Sequence, residues 1–141
     1  MHLVIAPPTG GIETQRMVKS GNYESGANYS LKQVTGWVAD EATLATVVAS
    51  RLIVKGAGDV TITAVLDSNT NDAAKPDVVK VTHNDTIVAT GDLSAYNDRR
   101  TVTITANVTI ADGDTVWLQT ITGSAIAARI YAGSTIEVAS T

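Results

Sequence analysis

The chain has 141 residues, 44% of them hydrophobic, and no cysteine, a length that fits one domain with a core of its own. Thiol chemistry, disulfides and cysteine-based metal sites are thereby excluded. A formal charge of −4 points away from nucleic acid, and Met1-His2-Leu3-Val4-Ile5-Ala6-Pro7-Pro8 has neither the basic start of a secretory signal nor an apolar run long enough for a membrane span. Synthesis and use in the cytoplasm, or release from it by lysis, are the expectation.

Residues 1–33 differ in texture from the rest. They hold two of the three prolines, the Gly10-Gly11 pair, and the near-repeat Ser20-Gly21-Asn22-Tyr23 and Ser25-Gly26-Ala27-Asn28-Tyr29-Ser30. This reads as an extended N-terminal arm with one short strand, Leu3 to Ala6. Ile12, Met17, Tyr23 and Tyr29 give it more apolar anchors than a solvating tail needs, so it is expected to order on a partner or a neighbouring subunit.

From residue 34 to 141 the pattern is that of an antiparallel β-sandwich. Strands are predicted at Gln33 to Val38, Ala45 to Lys55, Val60 to Leu66, Val78 to Thr82, Thr86 to Thr90, Arg100 to Ile110, Thr115 to Ile121, Ala125 to Tyr131 and Thr135 to Ala139. Gly56-Ala57-Gly58-Asp59, Asn84-Asp85, Asp112-Gly113 and Gly123-Ser124 are the joints. The clearest strand alternates Val102, Ile104, Ala106, Val108 and Ile110 with Thr101, Thr103, Thr105, Asn107 and Thr109. Eight or nine strands at this spacing suggest a sandwich or jelly roll, with one helical turn at Asp40-Glu41-Ala42-Thr43-Leu44. Phe is absent, so the core is expected to be built from Val, Ile, Leu and Ala, which a thin sandwich accepts.

Alternation also assigns faces. Val60, Ile62, Ala64, Leu66, Val116, Leu118, Ile126, Ala128, Ile130, Ile136 and Val138 face the core, which leaves Trp117, Arg129 and Tyr131 on the opposite side. A Trp there is either half-covered by a loop or an anchor in a subunit contact, where Trp, Tyr and Arg are over-represented. The candidate partner-binding residues are thus Ile12, Met17, Tyr23, Tyr29, Trp117, Arg129 and Tyr131.

No motif for chemistry survives inspection. Asp67-Ser68-Asn69-Thr70-Asn71-Asp72 opens like a calcium loop, but Asp72 stands where the turn wants Gly and Val78 where a bidentate Glu belongs; a polar interstrand loop is the reading, with adventitious divalent-ion binding beside Asp77 left open. Lys55-Gly56-Ala57-Gly58-Asp59 lacks the third glycine and following helix of a phosphate cradle and reads as a hairpin turn. His83 is expected at an exposed turn, and neither a nucleophile elbow nor Ser-x-x-Lys accompanies it. Asp59, Asp85, Asp92, Asp98, Asp112 and Asp114 all sit at predicted turns, where Asp stabilises the backbone. The three glycosylation sequons carry no meaning without a secretory signal. Neither an enzymatic activity nor a cofactor is expected.

The segment Val81-Thr82-His83-Asn84-Asp85-Thr86-Ile87-Val88, followed by the run from Val102 to Gln119 through Ala111-Asp112-Gly113-Asp114, resembles the second half of complement-type and tumour-necrosis-factor-like jelly rolls. There a strand reaches an acidic Gly-Asp turn, the next begins Val-x-Leu, and a closing strand follows a Gly-Ser step, as Gly133-Ser134-Thr135-Ile136 does here. The Phe-rich trimer core of that family is missing. In size, Thr/Ala/Val-rich character, lack of Cys and possession of an arm, the chain is also similar to the jelly-roll cement, or decoration, proteins of tailed bacteriophage capsids. That resemblance implies a structural virion protein on the capsid surface, made in the host cytoplasm. Its partners would be the major capsid protein and itself, as homodimer or homotrimer, with no nucleic acid or membrane involved. The alternative is a receptor- or carbohydrate-binding module of a phage tail fibre, with Trp37 and Tyr96 as the candidates for stacking on sugars.

Overall fold

The computed structural model describes residues 12–25, 31–70, 75–93, 99–121 and 128–141. Thirteen strands run through them: β1 (Gln15–Lys19), β2 (Tyr23–Glu24), β3 (Leu31–Gln33), β4 (Trp37–Ala39), β5 (Thr46–Val48), β6 (Arg51–Ile53), β7 (Gly58–Thr70), β8 (Lys75–His83), β9 (Thr86–Leu93), β10 (Arg100–Ile110), β11 (Thr115–Ile121), β12 (Ala128–Ile130) and β13 (Thr135–Ser140). All pairings are antiparallel. The first sheet has seven strands, ordered β2-β12-β7-β13-β1-β4 with β10 also on β7; the second has six, ordered β5-β6-β11-β8-β9 with β3 also on β11. The molecule is an antiparallel sandwich of jelly-roll type.

The long β7 is the spine of the first sheet. It pairs with β10 from Arg100↔Ser68 to Ile110↔Gly58, while β13 and β12 share its other edge. Its period-two pattern sends Val60, Ile62, Ala64 and Leu66 into the core, where they meet Leu52, Val81, Val116 and Leu118 from the second sheet. All eight are fully buried, and removal of each such aliphatic side chain from water contributes about 1.5–3 kcal/mol for the larger ones. With no Phe available, the two sheets are filled by short branched side chains.

The described part of the predicted arm is built into this sandwich. β1 lies inside the first sheet between β13 and β4, β2 pairs with β12 and β3 with β11. The alternation in β1 is masked because its inward residues are Gln15, Met17 and Lys19. Gln15 acts as a substitute for backbone: its side-chain amide donates to the Lys55 carbonyl at 2.8 Å and accepts from the Lys55 N–H at 2.9 Å. The predicted strand at residues 3–6 lies outside the described residues.

Two predicted strands are each divided by a turn. Gly36, at φ 84°, separates β3 from β4, and a Cβ there would run into the Lys19 ammonium and crowd the Ser20 carbonyl. Ala49 and Ser50, at φ 51° and 60°, form the two-residue turn between β5 and β6, which pair from Val48↔Arg51 outward. Residues 41–44 make turns rather than a helix; the Asp40 carboxylate accepts from the Ala42 N–H at 2.9 Å. The stretch at 55–59 links β6 in one sheet to β7 in the other, so it is a crossover and not a hairpin, secured by the Gly56 N–H donating to Asp112 at 2.8 Å.

Candidate functional site

The predicted contact residues fall into three groups. Met17 is fully buried and Ile12 nearly so, both within the hydrophobic core, so packing, not partner contact, is what they do in this fold. Tyr23 is half-buried against the same core. Tyr29 lies outside the described residues, as does Tyr96. Trp37, the other sugar-stacking candidate, is buried in the core, so it offers no ring face to a ligand.

Arg129 and Tyr131 come together on the outer face of the first sheet. Arg129 pairs across the strands with Glu24 and Asn69, and its guanidinium donates to the Glu24 carboxylate at 3.1 Å. The Tyr131 hydroxyl donates to the Asn69 amide oxygen at 2.9 Å, and Arg99 stacks on its ring with Cζ 3.8 Å from the centroid. Arg99 also makes a two-pronged bond to Asp67, at 2.8 and 2.5 Å. That bond holds the Asp67 carboxyl below its usual range and raises Arg99 above its own. Asp67 to Thr70 are strand residues of β7 and not a loop, and the Asp67 carboxylate is held by Arg99; Asn71 and Asp72 of the calcium-loop pattern lie outside the described residues, among which no cluster of metal-ligating side chains occurs. Elsewhere on this face Arg16 bridges Asp40 at 2.8 Å and Glu137 at 2.6 Å.

Trp117 sits on the outer face of the second sheet, as alternation predicts, yet it is only 7% exposed. Its cover is Arg51, whose Cζ lies 3.7 Å from the ring centroid, and its indole N–H donates to the Asn84 carbonyl at 2.8 Å. The register explains the meeting, since Thr115↔Ile53 and Val116↔Leu52 carry β6 alongside β11. His83 is part-buried rather than exposed, with Nε2 2.8 Å from the Asp114 carboxylate. Asp114 also accepts from the Ala111 N–H at 2.9 Å; that bond first, then His83, holds its carboxyl below the ordinary value. These contacts brace the turns that end the strands.

Sequence reasoning missed one surface. Among the described residues β9 pairs only with β8 and β10 only with β7, so each ends its sheet on the same side of the sandwich, where Gly91 of β9 lies against the Ile104 side chain of β10. Val88, Ala89, Val102, Ala106 and Val108 are only partly buried there, packed against the edge of the core. A hollow of about 300 Å³ beside the β7–β10 pairing is lined by Asp59, Val60, Asn107, Val108, Thr109 and Thr141.

No protein-family model matches the chain, and no curated protein matches it. Among solved structures, the chain is similar to Eiger TNF from S. frugiperda, with a TM-score of 0.61 and 12% identity, covering 93% of each chain. Pika GITRL aligns with a TM-score of 0.37 and 12% identity over 84% of this chain and 96% of that one. The likeness to Eiger is one of fold: the sandwich is a TNF-like jelly roll.

Proposed function

We propose that this chain is a structural virion protein, a cement or decoration protein that binds the outside of a phage capsid, associates with copies of itself and acts without catalysis. The observation that carries this reading is the β9–β10 side of the sandwich, where two strands that end their sheets among the described residues and partly buried aliphatic side chains offer a surface to another protein. A second copy would bury them, as homodimer or homotrimer. A rigid module that assembles in this way works mechanically. Each bound copy stabilises the expanded shell by its binding free energy, because the surface it covers spans neighbouring major capsid subunits only in that state.

The test is thermal disruption of tailed-phage heads stripped of their minor proteins, with and without the purified chain. The cement reading predicts saturable binding and a higher disruption temperature. An unchanged temperature with no binding would overturn it, and saturable binding on a glycan array would then transfer the assignment to a receptor-binding module.

A further inference from the structure

The two outer faces of the sandwich treat their cations differently. On the first sheet Arg16, Arg99 and Arg129 each meet a carboxylate. On the second sheet Arg51 and Lys80 meet none among the described residues: Arg51 sits over the Trp117 ring, and the Lys80 side chain makes no hydrogen bond or ion pair with them. In a chain of net charge −4, that is an asymmetry of placement, not of composition.

Register shows that these residues share one surface. Lys80 pairs with Gln119 and Thr82 with Trp117, and Thr82 pairs in turn with Ile87 on β9. Val48 pairs with Arg51, and Leu31 with Ile121. Four of the six large aliphatic side chains that stand exposed among the described residues, Leu31, Val48, Ile87 and Ile121, thus share this face with the two cations, interspersed with Gln33, Thr82 and Gln119. Asp92, two residues along β9 from the Thr90 that pairs with Lys80, is the one strand carboxylate that alternation places on this side, and it is itself engaged. Exposed aliphatic side chains beside an arginine already stacked on an indole are features enriched at protein interfaces.

We infer that the outer face of the second sheet is a docking surface for a partner protein that presents carboxylates set among aliphatic side chains. Charge decides the occupant. A second copy placed face to face would add its own Arg51 and Lys80 to the same contact, and the accumulated like charge disfavours that arrangement, whereas an acidic surface neutralises both and leaves the Arg51–Trp117 stack intact. The inference rests on the reading of this chain as a protein that works by surface contact, and it names the face that meets the shell as distinct from the β9–β10 side that meets another copy.

The probe is a short capped peptide alternating glutamate and leucine, titrated into the intact protein with tryptophan fluorescence and backbone amide NMR as readouts; a lysine–leucine peptide is the control. Binding of the acidic peptide alone is expected. Its amide shifts should centre on residues 51, 80, 117 and 119, and the affinity should fall about tenfold or more in Arg51→Glu/Lys80→Glu. Lys80→Glu alone, which leaves the Trp117 stack in place, should give a smaller loss in the same direction. Absence of binding, shifts on the first sheet, equal binding of both peptides, or unchanged affinity in the reversed variants would overturn the assignment. Head binding separates the two proposals. Stripped heads that bind neither wild type nor variant count against the cement reading alone, and heads that bind both equally count against this face.

Discussion

The two-residue turn between β5 and β6 should be the site of an easy gain in stability. Ala49 and Ser50 both occupy the left-handed region, at φ 51° and 60°, the type I′ geometry that suits the twist of a hairpin but favours Asn and Gly. For an alanine this conformation costs about 1–2 kcal/mol, and asparagine removes most of that without the unfolded-state entropy of glycine. Ala49→Asn should therefore stabilise the protein by about 1 kcal/mol, or raise Tm by about 3 °C for a domain of this size. Ser50 has the same strain but a second job, because its Oγ accepts from the Gly36 N–H at 2.9 Å and the Trp37 N–H at 3.4 Å. In Ser50→Gly the relief of strain is offset by the lost acceptor, about 1 kcal/mol, and by chain entropy, so no gain is expected. Urea unfolding followed by tryptophan fluorescence measures both variants. Equal gains, or an Ala49→Asn variant that is neutral or destabilised at unchanged m-value, would refute the argument.

Gly36→Ala should destabilise by about 2 kcal/mol or more, since it combines a left-handed φ with collision against the buried Lys19 ammonium; thermal melting checks it, and Lys19→Met in the same background should recover part of the loss. Asp40, Asp67 and Asp114 all have folded-state carboxyls held below their ordinary value, so their contribution is complete above the unfolded pKa of about 3.9 and is lost as pH falls through the lower folded values. Stability should accordingly decline below about pH 4, and Asp114→Asn should flatten that decline in pH-dependent urea titrations, whereas a parallel curve would contradict the assignment. Trp117→Phe should lower stability by about 1–2 kcal/mol through loss of the bond to the Asn84 carbonyl and weakening of the Arg51 stack, read by chemical denaturation on the remaining Trp37 signal.

Where each strand's inward residues are aliphatic, the sequence is enough to place it: β10 and β11 have the bounds that alternation predicts, and the core faces of β7 and β13 follow directly. β1 was illegible because its inward positions carry Gln, Met and Lys, whose fit depends on the Lys55 backbone and on three carbonyls around the Lys19 ammonium. The turn at 49–50 was hidden because neither alanine nor serine announces a positive φ. Of the contact residues, Trp117, Arg129 and Tyr131 could be oriented by strand parity, but their partners come from distant segments: Arg51 reaches Trp117, and Arg99 reaches Tyr131. That β9 and β10 end their sheets among the described residues is a property of strand order, which alternation within single strands does not encode.

The claim that the chain cements a capsid is tested most directly by comparing its binding to expanded and unexpanded heads, both stripped of minor proteins, by quantitative co-sedimentation. The account predicts saturation at a fixed ratio to the major capsid protein on expanded heads and no binding to unexpanded ones. Equal binding to the two forms, or to neither, would contradict it.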